Sequence, residues 1–174
     1  MKKNLVLIGM MGSGKSTIGR IISNKTRLRF FDVDKIIENH TNLKISEIFK
    51  KKGEGFFRDL EEKISIKVLG YSKGIIALGG GAFMNDKIRN ELKNENITIW
   101  LKWSSKFLIP RIINSKTRPK VNNLSEKDLI KLLEIRSKIY SKADYKINCD
   151  KLDKRKIVKK ILDIYENEKN LSQN

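Results

Sequence analysis

Eight consecutive residues near the start of the chain, Gly9-Met10-Met11-Gly12-Ser13-Gly14-Lys15-Ser16, satisfy the pattern G-x-x-x-x-G-K-[ST]. The chemistry implied is the binding of a nucleoside triphosphate. Glycines at these spacings let successive backbone N–H groups converge on one anion. Lys15 supplies a cation for the β- and γ-phosphates, and the Ser16 hydroxyl is a ligand for Mg²⁺. The context agrees, because Leu5–Ile8 reads as a strand before the loop and Lys15–Lys25 as a helix after it, whose N-terminal partial charge faces the anion. The motif alone admits a small-molecule kinase, a GTPase, a motor or a helicase. With 174 residues the chain is short for the last two, and no Asn-Lys-x-Asp guanine reader is present. Phosphoryl transfer to a small acceptor leads.

Three further groups carry candidate chemistry. Phe31-Asp32-Val33-Asp34 sets two carboxylates two residues apart at a strand end. They divide labour between metal and acceptor hydroxyl, or an Asp simply caps the helix that starts there. In Gly53-Glu54-Gly55-Phe56-Phe57-Arg58-Asp59-Leu60-Glu61, Arg58 stands one turn from Glu54 and from Glu61. Those acids either hold a guanidinium fork in place or form an ordinary surface salt-bridge face. Gly79-Gly80-Gly81 follows another strand, at the sheet edge where open α/β folds bind ligands, and a bare turn rarely needs three glycines. His40 is the only histidine and has no metal-ligand companions, so capping or exposure is expected of it. Cys149 has no His partner and reads as an ordinary thiol. Trp100 and Trp103 flank a strand end and read as core or rim packing.

The elements that must position these groups alternate along the chain. Leu5–Ile8, Arg29–Phe31, Gly74–Leu78, Ile97–Leu101 and Tyr145–Ile147 are short and almost continuously apolar, the pattern of strands buried on both faces. Between them, helical stretches run over Lys15–Lys25, Val33–His40, Ile45–Lys52, Gly55–Leu69, Asp86–Lys93, Lys106–Ile113, Glu126–Ser141 and Lys154–Glu168. Ser125-Glu126-Lys127-Asp128 has the form of a capping box. The expected fold is α/β, a three-layer sandwich with a central five-stranded parallel sheet flanked by helices. It forms one domain over residues 1–168, with a disordered tail over 169–174. Asn114–Leu124 is long for a helix–helix joint and carries Arg118-Pro119, so it is a candidate lid as well as a candidate solvated loop.

The charge is strongly positive, 38 Lys and Arg against 20 Asp and Glu, a formal +18. Nucleic acid, an anionic membrane or an anionic substrate would each suit that field. The composition offers a simpler cause, since 29 Lys stand against 9 Arg, beside 25 Ile, 15 Asn and 3 Ala, the signature of AT-rich codons. Scattered Lys is then a solvated surface, and an Arg retained against the bias marks a place that needs a planar, forked cation. The basic residues are dispersed, so neither nucleic acid nor membrane is expected as a partner. The single Cys and the absence of an 18-residue apolar run suit a soluble, cytoplasmic chain.

Taken together, GMMGSGKST, DVD, the G-E-x-x-F-R-x-x-E pattern, GGG, the Arg-Pro loop and a late Arg resemble the shikimate kinase family from about Lys3 to about Ala143. The resemblance implies a P-loop fold of the nucleoside-monophosphate-kinase type that transfers the γ-phosphoryl group of ATP to the 3-hydroxyl of shikimate, with Mg²⁺ as cofactor. It implies that Gly12, Ser13, Gly14, Lys15, Ser16 and Thr17 hold the ATP phosphates and that Ser16 and Asp32 serve the metal. Asp34 would bind the shikimate hydroxyls as positioner or base. Arg58 and Arg136 would grip the carboxylate, with the Gly79, Gly80 and Gly81 backbone completing the pocket. Residues 32–61 would form the substrate segment and 111–124 a mobile lid, whose Arg118 closes on the phosphates while Arg111 stacks near the adenine. A monomer with ATP and shikimate as its partners is expected. The rivals are a gluconate or nucleoside monophosphate kinase of the same fold and, in another class, a nucleic-acid-binding ATPase. The chain departs from the family at Cys149–Lys156, CDKLDKRK, which lacks the proline usual in the adenine loop, and no base contact is assigned there.

Overall fold

The computed structural model describes residues 4–71, 73–93, 95–114 and 124–171. Five strands, β1 (Asn4–Ile8), β2 (Arg29–Asp32), β3 (Gly74–Ala77), β4 (Asn96–Lys102) and β5 (Tyr145–Asn148), form one sheet in the order β2-β3-β1-β4-β5. Every pairing is parallel. The helices are α1 (Lys15–Thr26), α2 (Val33–Thr41), α3 (Ile45–Leu69), α4 (Asp86–Leu92), α5 (Ser105–Ile113), α6 (Glu126–Tyr140) and α7 (Lys154–Leu171), with a 3₁₀ turn at Ala82–Met84.

A strand's side chains alternate between faces, and β1 shows why both faces are covered. Leu5 and Leu7 pack into one core with Ile18 and Ile22 of α1 and Ile157, Val158 and Ile161 of α7. Val6 and Ile8 pack into the other, with Ile37 of α2, Ile64 and Val68 of α3, Ile88 of α4, Leu108 of α5 and Leu129 of α6. Three layers follow from that division. At the amino ends of the strands, the buried Asn4 amide donates to Leu69 O at 3.1 Å and to Asn96 Oδ1 at 2.9 Å, and its Oδ1 accepts from Gly74 N at 2.9 Å. These bonds lock β1, β3 and β4 in register where no ligand is expected.

The expected elements recur with ends moved by a few residues. α3 is continuous in space but broken at Gly53, where φ is 84° and ψ 173°, so the two helical stretches read on either side of Gly53 meet at a kink. At the start of α6, Ser125 Oγ accepts from Asp128 N at 3.2 Å and Asp128 Oδ2 accepts from Ser125 N at 3.2 Å, the anticipated capping box. The tail needs correction. α7 continues to Leu171, past the boundary placed at 168, because Tyr145 donates to Glu168 Oε1 at 2.5 Å and pins that turn to β5.

Candidate active site

In a parallel sheet all carboxyl ends lie on one edge, and each segment singled out above leaves from it. Residues 9–14 follow β1, Asp32 ends β2, 79–81 follow β3, Trp103 follows β4 and 149–153 follow β5. β1 lies between β3 and β4, so the chain crosses both ways from it and opens a crevice at its end.

The loop after β1 is a cradle open to an anion. Gly12 and Gly14 have φ of 77° and 89°, a region that side chains disfavour. Helix α1 starts without a side-chain cap and without an acidic residue in its first turn, so its leading N–H groups keep their partial positive charge for something outside the chain. Lys15 is buried over the loop, its Nζ donating to Gly9 O at 2.9 Å and Met10 O at 3.1 Å. Ser13 is buried as well, and its Oγ has no hydrogen-bond partner among the described residues. Ser16 and Thr17 are exposed on the first turn.

Beside this cradle is a cavity of roughly 500 Å³, lined by Ser13, Gly14, Thr17, Trp103, Arg111 and Asp153 among others. Its wall is built by stacking, with the Arg111 guanidinium 4.0 Å from the centre of the Trp103 ring. Trp103 Nε1 donates to Ser13 O at 3.0 Å, so the same side chain ties the wall to the phosphate loop. Packing was expected of both tryptophans. Trp100 meets that expectation in the core, with 5% exposure, and Trp103 meets it at the rim, partly buried against both cores while also walling the cavity. The stretch lacking proline is ordered by two other devices: Leu152 N donates to Cys149 O at 3.0 Å, and Asp153 Oδ1 accepts from Lys156 N at 2.8 Å. An Asp just ahead of a helical run is a capping signal legible in the sequence. Cys149 is fully buried, and burial pushes its thiol up to about 12, so the ordinary, unreactive thiol stands.

On the other side of the cradle, Gly79, Gly80 and Gly81 each face different groups. A Cβ on Gly79 would lie 2.3 Å from Glu61 Oε1 and 2.8 Å from Asp34 Oδ1. On Gly81 it would lie 2.4 Å from Arg58 Nη1, and on Gly80, 3.8 Å from Arg136 Nη1. Two carboxylates therefore converge on one end of the glycine loop and two guanidinium groups on the rest. Glu61 anchors the arrangement, since its side chain is only 4% exposed and its Oε2 accepts from Arg58 Nη1 at 2.6 Å, while Glu54 Oε1 accepts from Arg58 Nη2 at 3.3 Å. Burial pushes the Glu61 carboxyl above its ordinary range, against the pull of Arg58. Arg136 Nη1 donates to Gly80 O at 3.3 Å and lies 3.4 Å from Met10 Sδ. Asp32 caps α2, its Oδ1 accepting from Lys35 N at 3.4 Å, and Asp34 follows in the first turn.

The structure thus brings together Asp34, Arg58, Gly79, Gly80, Gly81 and Arg136, and sets Lys15, Ser16, Thr17 and Arg111 around the cradle. Arg118, with most of the segment 111–124, lies outside the described residues. His40 is exposed at the end of α2, and among the described residues no three His, Cys, Asp or Glu gather as a metal cluster. The absence of Cβ atoms on the glycine loop has a measurable consequence. Gly79→Ala is expected to displace the Glu61 and Asp34 carboxylates, costing about 1–3 kcal/mol of stability and raising the requirement for the acceptor but not for the nucleotide. Thermal unfolding and steady-state kinetics check this.

The family model for shikimate kinase matches residues 11–166. The chain belongs to the shikimate kinase family. It is 38% identical over 160 residues to the shikimate kinase of Sulfurihydrogenibium sp. (strain YO3AOP1), covering 92% of this chain and 96% of that one. The shikimate kinase of Acinetobacter baumannii, solved in complex with shikimate, superposes with a TM-score of 0.90 at 31% identity, over 97% of this chain and 96% of the other. A gluconokinase from Sinorhizobium meliloti superposes with a TM-score of 0.58 at 16% identity over 98% and 96% of the two chains, a likeness of fold alone. For a shikimate kinase family member, the expected α/β fold with its five-stranded parallel sheet is what the structure shows. Among the described residues no helix is long and apolar enough to cross a membrane.

Proposed function

We propose that this chain transfers the γ-phosphoryl group of ATP to the 3-hydroxyl of shikimate, giving ADP and shikimate 3-phosphate. The observation that carries the reading is the polarity of the glycine loop, with carboxylates at Gly79 and guanidinium groups at Gly80 and Gly81. A ligand laid along it needs hydroxyls at one end and a carboxylate at the other, the layout of a carboxylated ring polyol. Arg58 and Arg136 grip the carboxylate, and Asp34 receives the hydroxyl that attacks. Because the transition state of phosphoryl transfer is loose, Asp34 works chiefly by aiming that hydroxyl, and it takes up the proton as the new P–O bond forms.

ATP lies with its phosphates in the cradle and its base in the cavity walled by Trp103 and Arg111. Lys15 leaves the Gly9 and Met10 carbonyls for the phosphate oxygens, and Arg118 closes from the lid. The residues suit Mg²⁺, a hard cation that prefers oxygen and keeps waters and phosphates as ligands: the exposed Ser16 hydroxyl would hold it directly, and Asp32 would do so directly or through water. When bound, the ion neutralises the charge shared by the β- and γ-phosphates. A monomer in the cytoplasm, acting on small molecules, completes the reading.

A coupled assay offering shikimate, gluconate, CMP and AMP with Mg-ATP tests it. Turnover of shikimate alone is expected, and comparable kcat/KM with gluconate overturns it. The +18 charge leaves one other class to examine, so a filter-binding titration with RNA accompanies the assay, with weak binding expected and tight, steeply salt-dependent binding counting against the reading. For the nucleotide side, Trp103→Phe loses the bond to Ser13 O and is expected to raise the KM for ATP about fivefold to tenfold while the KM for shikimate stays within a factor of two.

A further inference from the structure

One buried hydroxyl touches the acceptor loop without being part of the pocket. Tyr140 closes α6 one turn after Arg136 and is 2% exposed. Its ring packs 5.8 Å from Trp100 and 6.3 Å from Phe83, centre to centre, and its hydroxyl donates to Gly80 O. Arg136 Nη1 donates to that same carbonyl oxygen. A carbonyl has two lone pairs, so both bonds form together. The two donors differ in their duties, because Arg136 is needed by an incoming carboxylate whereas Tyr140 is held fast by its packing.

We infer that Tyr140 is a positioning residue for the acceptor: its hydroxyl holds the Gly80 carbonyl so that Arg136 is released to the substrate carboxylate. The inference rests on the reading of 79–81 as the shikimate loop. The physical step is one of satisfaction. When Arg136 turns to a carboxylate, Gly80 O keeps the Tyr140 bond and no buried acceptor is stranded. The Gly80–Gly81 peptide is trans, so anchoring its oxygen on α6 aims the Gly81 N–H away from α6. One hydroxyl therefore sets both the freedom of Arg136 and the orientation of the peptide beside it. In Tyr140→Phe the ring packing remains, but binding a carboxylate strips the Gly80 oxygen of its last donor, so the guanidinium is held back.

The test is kinetic and thermodynamic. The KM and the calorimetric Kd for shikimate are expected to rise about tenfold in Tyr140→Phe, with kcat and the KM for ATP within a factor of two of the parent chain. In an Arg136→Ala background the same change is expected to alter the Kd for shikimate less than twofold, because there is no guanidinium left to release. A merely structural role lowers the unfolding temperature and leaves the ratio of the two KM values alone, and that result overturns the inference. So does a full tenfold effect in the Arg136→Ala background. Turnover of shikimate by the parent chain is measured first: its absence overturns the functional reading and this inference with it, whereas normal parent turnover with an unaltered Tyr140→Phe overturns this inference only.

Discussion

Lys15→Met is expected to lower kcat for phosphoryl transfer by about 1,000-fold or more, the scale found when a charge-stabilising group is removed from a transition state, and to leave the chain folded. The first part follows from the cradle's make-up. Backbone N–H groups contribute only partial charges there, and Lys15 is the full cation that its sequence position carries onto the triphosphate. The second part follows from where Lys15 rests. Its ammonium is buried and bonded to the Gly9 and Met10 carbonyls. Met loses those two bonds but also removes the desolvation cost of a buried cation and fills much of the same volume, so the two effects largely offset. An unfolding temperature within a few degrees of the parent, with turnover lost, is the expected pair of results. Retained turnover removes Lys15 from the mechanism, and a collapsed unfolding temperature recasts it as a structural group.

How far the site was legible in the sequence depends on whether a contact is local. The phosphate loop, the capping box at Ser125 and the Glu54–Arg58–Glu61 cluster lie within one turn or one motif, and the structure places them as their spacing implies. The Lys-to-Arg imbalance is a cue of another kind, pointing to particular side chains without saying what they meet. Arg58, Arg111 and Arg136, kept against the bias, each make a directed contact, and Arg89 donates to Phe83 O at 2.6 Å beneath the turn that follows the glycine loop. What stayed hidden needs two distant segments to meet. Trp103 reaches Ser13 only because β4 lies next to β1, and Glu61 reaches Gly79 only because α3 packs under the end of β3. Tyr140 stands one turn after Arg136, but nothing in that spacing on α6 says that its hydroxyl ends on Gly80. Periodicity tells which face is buried and not which carbonyl lies there.

The Arg58–Glu61 pair separates binding from stability in a way that two substitutions can read. Arg58→Ala is expected to raise the KM for shikimate about 100-fold, the loss of a charge-assisted carboxylate contact, while the KM for ATP stays within a factor of two. It also strands the Glu61 carboxylate. A fully buried pair broken in this way loses 3–5 kcal/mol, but the Arg58 side chain is 35% exposed and water screens part of the interaction, so about 1–3 kcal/mol is expected here. The pH dependence fixes the cause. Burial already holds the folded-state pKa of Glu61 above its unfolded value, so its contribution to stability is full at pH below the unfolded value and is lost as pH rises through the folded one. Removing Arg58 takes away a charge that pulls the folded value down, and the loss deepens at neutral pH. The stability gap between Arg58→Ala and the parent is therefore expected to widen from pH 5 to pH 8. Adding Glu61→Gln removes the stranded charge: the unfolding temperature of the double variant recovers and loses this pH dependence, yet its KM for shikimate stays high. If the double variant instead regains the parent KM, Arg58 serves only to neutralise Glu61, and the carboxylate of the acceptor is held by Arg136 alone.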